Sequence, residues 1–181
     1  MTTTGAAASL RRLYFVRAAF ALVWAALVAL TVKEYGPLGV ALLVLYPLFD
    51  VAAAVVDARA SKQSQNVTGL YLNIVISLLA AGGIAFAGGI PGVLRVWGAW
   101  AIVAGLVQLA VGVSRRKMGG QWPMILSGGI SVGAGTSFIL MASQSQATLA
   151  SVAGYATLGG IFFLVSAIRL GTAAKKAAAT A

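Results

Sequence analysis

Apolar positions fill this chain in six long stretches, separated by short groups of polar, glycine and proline residues. The stretches run Leu13–Val32, Leu38–Asp57, Thr68–Ala87, Gly92–Ser114, Pro123–Ala142 and Thr148–Leu170. A hydrocarbon core of roughly 30 Å needs about 20 helical residues to cross it, and each stretch has that length. The pattern therefore predicts an all-α membrane protein with six transmembrane helices. They fall into three hairpins, 13–57, 68–114 and 123–170, between an N-terminal segment 1–12 and a tail 171–181.

Composition agrees with the pattern. The 181 residues are 60% hydrophobic and 9% charged, and the mean hydropathy is +0.95. Such values lie outside the soluble globular range, and six spans leave no length for a soluble domain. The net charge of +10 changes the picture through its distribution. Arg11, Arg12, Arg17, Arg59, Lys62, Arg115, Arg116, Lys117, Arg169, Lys175 and Lys176 all fall on one side, and Lys33 and Arg95 lie toward the other, with Glu34 beside Lys33. Short loops rich in Lys and Arg stay in the cytoplasm, so both termini are expected there. The basic residues thus serve topology, with the lipid bilayer as partner and no nucleic acid. The stretch after Leu30 lacks a small-residue cleavage site, so the first span reads as retained. Without cysteine the compartment cannot be read from redox chemistry. The Ala-rich end, Thr172–Ala181, reads as a frayed helix end or a disordered extension.

Polar and basic markers recur. Arg59, Arg115 and Arg169 close the second helix of each hairpin, 56 and 54 residues apart. The same offsets align Arg17, Asn73 and Ser127 about one turn inside each first helix, and set Pro123 opposite Gly69 and Leu13. Hairpins of equal polarity are parallel repeats, related by an axis along the membrane normal. Small residues form seams: Gly98, Ala101, Gly105, Gln108 and Gly112 in span four, and Ser127, Ser131 and Gly135 in span five. Gly129 and Gly133 suggest a further stripe, and Ala153, Ala156, Gly160 and Ala167 mark one face of span six. Small faces let membrane helices approach closely. Tyr14, Tyr71, Trp122, Tyr35 and Trp97 fall near span ends, where aromatic rings anchor at headgroups. Trp24, Tyr46, Trp100 and Tyr155 lie deeper, as packing or as a cavity lining.

Few polar residues lie at membrane depth. Arg17 and Asp50 both fall in the cytoplasmic third, where an unpaired charge costs up to roughly 2.5–3.5 kcal/mol. An ion pair across the first hairpin offsets that cost; snorkelling of Arg17 to the headgroups is the alternative. Asn73, Gln108 and Ser127, with Ser131 and Ser166, lie at similar depth. Together with Arg17 and Asp50 they form a candidate polar cluster, either a cavity lining or interhelical hydrogen bonding. Asp57 falls at the membrane edge beside Arg59 and reads as solvated. Pro47 frees a backbone carbonyl near Asp50, a feature found in transporters.

The chain contains neither histidine nor cysteine, so haem ligation, zinc hydrolysis and histidine general-base catalysis lose their usual residues. Asp50 and Asp57 are seven residues apart on one helix, about 10 Å by helical rise and too far to share a proton. No catalytic residue, metal site or cofactor is expected.

The run from Trp122 through Gly135 (WPMILSGGISVGAG) has an aromatic start and spaced glycines, and after a turn the run from Gly154 through Arg169 (GYATLGGIFFLVSAIR) is a glycine-containing helix with a basic end. With Arg17 in the first helix, this pattern resembles the HdeD family of small bacterial membrane proteins, over about Leu13 to Gly171. The resemblance implies a six-helix protein of the bacterial inner membrane, with some members linked to acid stress. It supplies no site residues. The family's proline after the first helix of a repeat is matched by Pro37 and Pro91, whereas the third hairpin has Gln144, Ser145 and Gln146. The expected function is a non-enzymatic inner-membrane protein of HdeD type, with an envelope or acid-stress role. Its rival is a small permease or channel built on the inner cluster around Asp50. A homo-oligomer or a membrane-protein partner stays open.

Overall fold

The computed structural model describes residues 3–32, 35–61, 67–145 and 147–179, the side chains of 3–7 and 175–179 excepted. Lys33, Glu34, Lys62, Gln146, Ala181 and the side chains of Lys175 and Lys176 lie outside the described residues. Among the described residues are six α-helices, α1 (Thr3–Thr31), α2 (Pro37–Ser61), α3 (Thr68–Ala85), α4 (Ile90–Ser114), α5 (Trp122–Met141) and α6 (Ala150–Ala179), with a short 3-10 helix at Arg116–Met118 between α4 and α5. Each α-helix is long and apolar enough to cross a membrane, and no strand occurs among the described residues. The chain is a six-span helical membrane protein.

Prolines and glycines set the helix boundaries. Pro37 opens α2, and Pro91 and Pro123 lie in the first turns of α4 and α5, where the missing N–H has no helical partner to lose. Gly88 and Gly89 turn the chain between α3 and α4 with φ of +67° and +149°, a region that side chains with a Cβ avoid. Two helices exceed their expected bounds. α1 begins at Thr3 and α6 continues to Ala179, absorbing most of the segments 1–12 and 171–181. Both extensions are rich in alanine, the strongest helix former.

The helices form a closed ring in which each packs on its two neighbours in sequence and α6 returns to α1. The most extensive contacts join successive hairpins, α4 with α5, α1 with α6 and α2 with α3, ahead of those within a hairpin. Glycines explain the α4–α5 contact. A Cβ added at Gly98 would lie 2.6 Å from the Gly135 carbonyl oxygen, and one at Gly135 would lie 2.5 Å from that of Gly98. Gly105 and Gly128 oppose each other in the same way, at 2.8 and 2.7 Å. The span-four seam therefore closes on Gly128 and Gly135. The expected stripe of Gly129 and Gly133 is not a close contact: a Cβ at Gly133 meets nothing within 4 Å, and one at Gly129 meets Leu109 at 3.8 Å. Those two glycines sit beside the interface, whose register is fixed one residue earlier. Gly135→Val is expected to lower stability by about 1–3 kcal/mol through overpacking, whereas Gly133→Val changes it little; denaturant unfolding in mixed micelles compares the two.

The ring brings the basic segments to one end. Arg11 lies against Gly171, and Gly119 lies against Ala173. Two apolar clusters fill the interior. One, built around Trp24, Leu43, Ile84, Leu94, Trp97, Phe138 and Val152, closes the end remote from the termini. The other, with Leu10, Tyr14, Met124, Phe163 and Leu170, lies at the basic end. Tyr14 and Trp97 are thus core residues, buried by α6 and by the far cluster rather than anchored at headgroups. Tyr35, Tyr71 and Trp122 are exposed, as anchoring requires.

Candidate functional site

Between the two clusters lies a polar network that begins at Asp50 on α2. This residue is 5% exposed, so its carboxylate must find its partners inside the bundle. Arg17 of α1 donates from Nη2 to Oδ1. On the other oxygen, Oδ2, Asn73 donates from Nδ2 at 2.5 Å and Ser77 from its hydroxyl at 2.9 Å. Trp100 of α4 completes the chain, its indole N–H donating to the Ser77 hydroxyl at 3.0 Å. The Arg17 guanidinium also lies over the Phe163 ring of α6, 4.3 Å from the centroid, a cation–π contact that favours the charged group away from water. One carboxylate thus ties four helices together.

A second ion pair lies two turns along α2. Asp57 accepts both forks of Arg115, from Nη1 at 2.8 Å and Nη2 at 2.9 Å, and Ser61 joins both residues at 2.9 and 3.2 Å. Two-pronged guanidinium–carboxylate contacts are the strong, geometrically specific kind. Asp57 is therefore not solvated as its position suggests. α2 continues past it to Ser61, and Arg115 folds down from the end of α4 to cover it. Burial by itself lowers the affinity of Arg115 for its proton, but the hydrogen bonds and charge of Asp57 outweigh burial and raise it above its ordinary value. The group stays charged at any pH a cell meets.

The two pairs form part of the wall of a cavity of about 90 Å³, to which all six helices contribute. At about 10–15 Å³ for each water centre, that is room for several waters or one small polar molecule. Repeat-equivalent residues line it in layers. Arg17, Asn73 and Ser127 face it from the first helix of each hairpin, with Tyr14, Leu70 and Met124 one turn below. From the second helices come Tyr46, Trp100 and Tyr155, then Asp50, Ala104 and Gly159, then Ala54, Gln108 and Phe163, in each layer 54 and 55 residues apart. The cavity exists because the equivalents of Asp50 are as small as Ala104 and Gly159. A Cβ added at Gly159 meets nothing within 4 Å.

All five residues of the candidate cluster, Arg17, Asp50, Asn73, Gln108 and Ser127, line this one space. Gln108 donates from Nε2 to the Met124 carbonyl at 3.1 Å. The Ser127 carbonyl accepts from Ser131, whose hydroxyl in turn accepts from Tyr155 at 2.9 Å. Ser166 is not brought to the cavity; its hydroxyl is fully buried with no hydrogen-bond partner among the described residues. Tyr46, Trp100 and Tyr155 line the cavity, whereas Trp24 packs in the far cluster and donates to the Leu42 carbonyl at 2.6 Å. That carbonyl immediately precedes Leu43, whose helical donor Pro47 removes.

Sequence reasoning missed Ser77, Trp100 as a network member, and the Asp57–Arg115 pair. Ser77 lies one turn beyond Asn73 on α3, so the i, i+4 spacing was the available signal. Arg115 carried none, because it stands in a run of three basic residues that reads as a loop.

In comparisons of sequence and of fold, no protein-family model, no curated protein and no solved structure matches the chain.

Proposed function

We propose that this protein is a non-enzymatic carrier, a small permease whose central cavity holds a polar solute. The observation that supports this reading is the cavity itself: a space large enough for several waters, shared by six apolar helices, whose largely apolar wall carries Arg17, Asp50 and Asn73. Ionisable residues inside membrane bundles face one another or a cavity, and mark solute paths. The far apolar cluster closes one end, which favours a gated carrier over an open pore. The non-enzymatic reading rests on chemistry: the chain has no histidine or cysteine, and Asp50 and Asp57 are each committed to an arginine. Small-residue seams speak less for a role in docking partners, since the α4–α5 seam is spent inside the chain.

Placement in a bacterial inner membrane with both termini in the cytoplasm is part of the proposal. It rests on the charge bias and on the resemblance to the HdeD family, as does any envelope or acid-stress role.

Shrink–swell light scattering on proteoliposomes, with a panel of small charged and uncharged solutes, tests the reading. At least one solute is expected to cross faster than in protein-free vesicles. Gly159→Leu, which adds bulk at a lining position where a Cβ meets nothing within 4 Å, is expected to return that rate to the background. If the wild-type protein speeds no solute, the carrier reading fails.

A further inference from the structure

The charges on the cavity wall restrict what it can hold. Among the described residues, four charged side chains reach the cavity, and each cation is paired to an acid in the wall itself: Arg17 with Asp50, Arg115 with Asp57. The wall carries no net charge. Asp50 already accepts from three donors, most of the roughly four lone-pair sites a carboxylate offers. Asp57 accepts both forks of Arg115 and the Ser61 hydroxyl. A cationic solute therefore finds no acid ready to receive it.

An anion meets the converse problem. Arg17 has five N–H donors, and its contacts are a hydrogen bond to Asp50 and the face of Phe163, so it has donors to spare. Its charge, however, is already balanced by Asp50, and a second negative group would stay uncompensated in a low-dielectric interior. An uncharged oxygen can take the same N–H groups without that penalty. Gln108 uses one of its two amide N–H groups on the Met124 carbonyl, which leaves the other N–H as a donor and its own carbonyl as an acceptor for a solute N–H or O–H.

We infer that the cavity selects small uncharged solutes carrying both an oxygen acceptor and an N–H or O–H donor, of the short-amide or polyol class, and excludes ions of either sign. This rests on the cavity being a solute site, as proposed above, and narrows its substrate class.

Saturation-transfer NMR on the full chain in nanodiscs, with empty nanodiscs subtracted, tests this with five probes: acetamide, glycerol, acetate, methylammonium and glycine. Acetamide and acetate are close in shape and differ in charge. Transfer to acetamide or glycerol is expected to exceed that to the three charged probes by about tenfold or more, as the cost of an uncompensated buried charge implies. Acetamide and glycerol distinguish the amide from the polyol source. Gly159→Leu is expected to abolish the transfer, and Gln108→Leu to weaken it for acetamide; neither residue belongs to an ion pair. Comparable transfer to acetate, methylammonium or glycine overturns the charge rule while leaving a solute site in place. Transfer to none of the five overturns the inference outright, and transfer unaffected by Gly159→Leu removes it from this cavity. Because the readout is binding, a protein that binds acetamide yet speeds no flux sinks the carrier reading and spares this one.

Discussion

Arg115→Ala is expected to destabilise the protein by about 3–5 kcal/mol, the usual result of stripping one partner from a buried ion pair. The side chains of Arg115 and Asp57 are 2% and 7% exposed, so the abandoned carboxylate has little access to water. Arg59→Ala and Arg169→Ala provide the internal comparison. Both lie near the end of a second helix, as Arg115 does, yet both are exposed, and such surface changes stay within about 0.5 kcal/mol. Denaturant titration in mixed micelles, followed by circular dichroism, measures all three. Replacing both partners, Arg115→Met with Asp57→Leu, is expected to recover most of the loss, since a buried pair contributes little beyond its own desolvation. Equal effects at Arg59, Arg115 and Arg169 would refute the assignment.

The second large effect concerns Arg17. Arg17→Met leaves Asp50 charged at membrane depth, with Asn73 and Ser77 as neutral donors. The cost is expected to approach the roughly 2.5–3.5 kcal/mol of an uncompensated charge on insertion scales. Asp50→Asn in that background removes the charge while keeping an acceptor for Ser77, so the double variant is expected to be more stable than Arg17→Met alone. A double-mutant cycle isolates the pair, with a coupling of about 1–3 kcal/mol expected between groups in direct contact. Additive effects would mean that Arg17 acts through the Phe163 ring or the headgroups instead. Phe163→Leu, which removes the 4.3 Å ring contact and keeps the apolar volume, separates those two explanations.

Much of the site was legible because membrane burial makes polar residues conspicuous. Arg17, Asp50, Asn73, Gln108 and Ser127 were marked by depth alone, and the structure gathers them around one cavity. Depth says nothing about azimuth, however. Gly128 rather than Gly129 meets α4, and Ser166, on the same face of α6 as the lining residues Gly159 and Phe163, is buried without reaching the cavity. Arg115 and Asp57 were misread because a helix end reveals charge, not whether the next turn folds over it. The repeat markers behaved unevenly: Arg17, Asn73 and Ser127 occupy one layer, whereas the second helices align at 54 and 55 residues, which places Arg115 opposite Ser61 and Leu170 rather than Arg59 and Arg169.

What the chain's order of residues settled by itself was the number, length and alternation of the helices, because hydrocarbon thickness and backbone hydrogen bonding admit few other solutions for six such apolar runs. Which faces meet was decided in three dimensions. The return of α6 to α1, the two arginine pairs and the cavity between them depend on helix rotation and close approach, and these follow from the fit of small side chains across interfaces, a property of two surfaces together that neither helix carries alone.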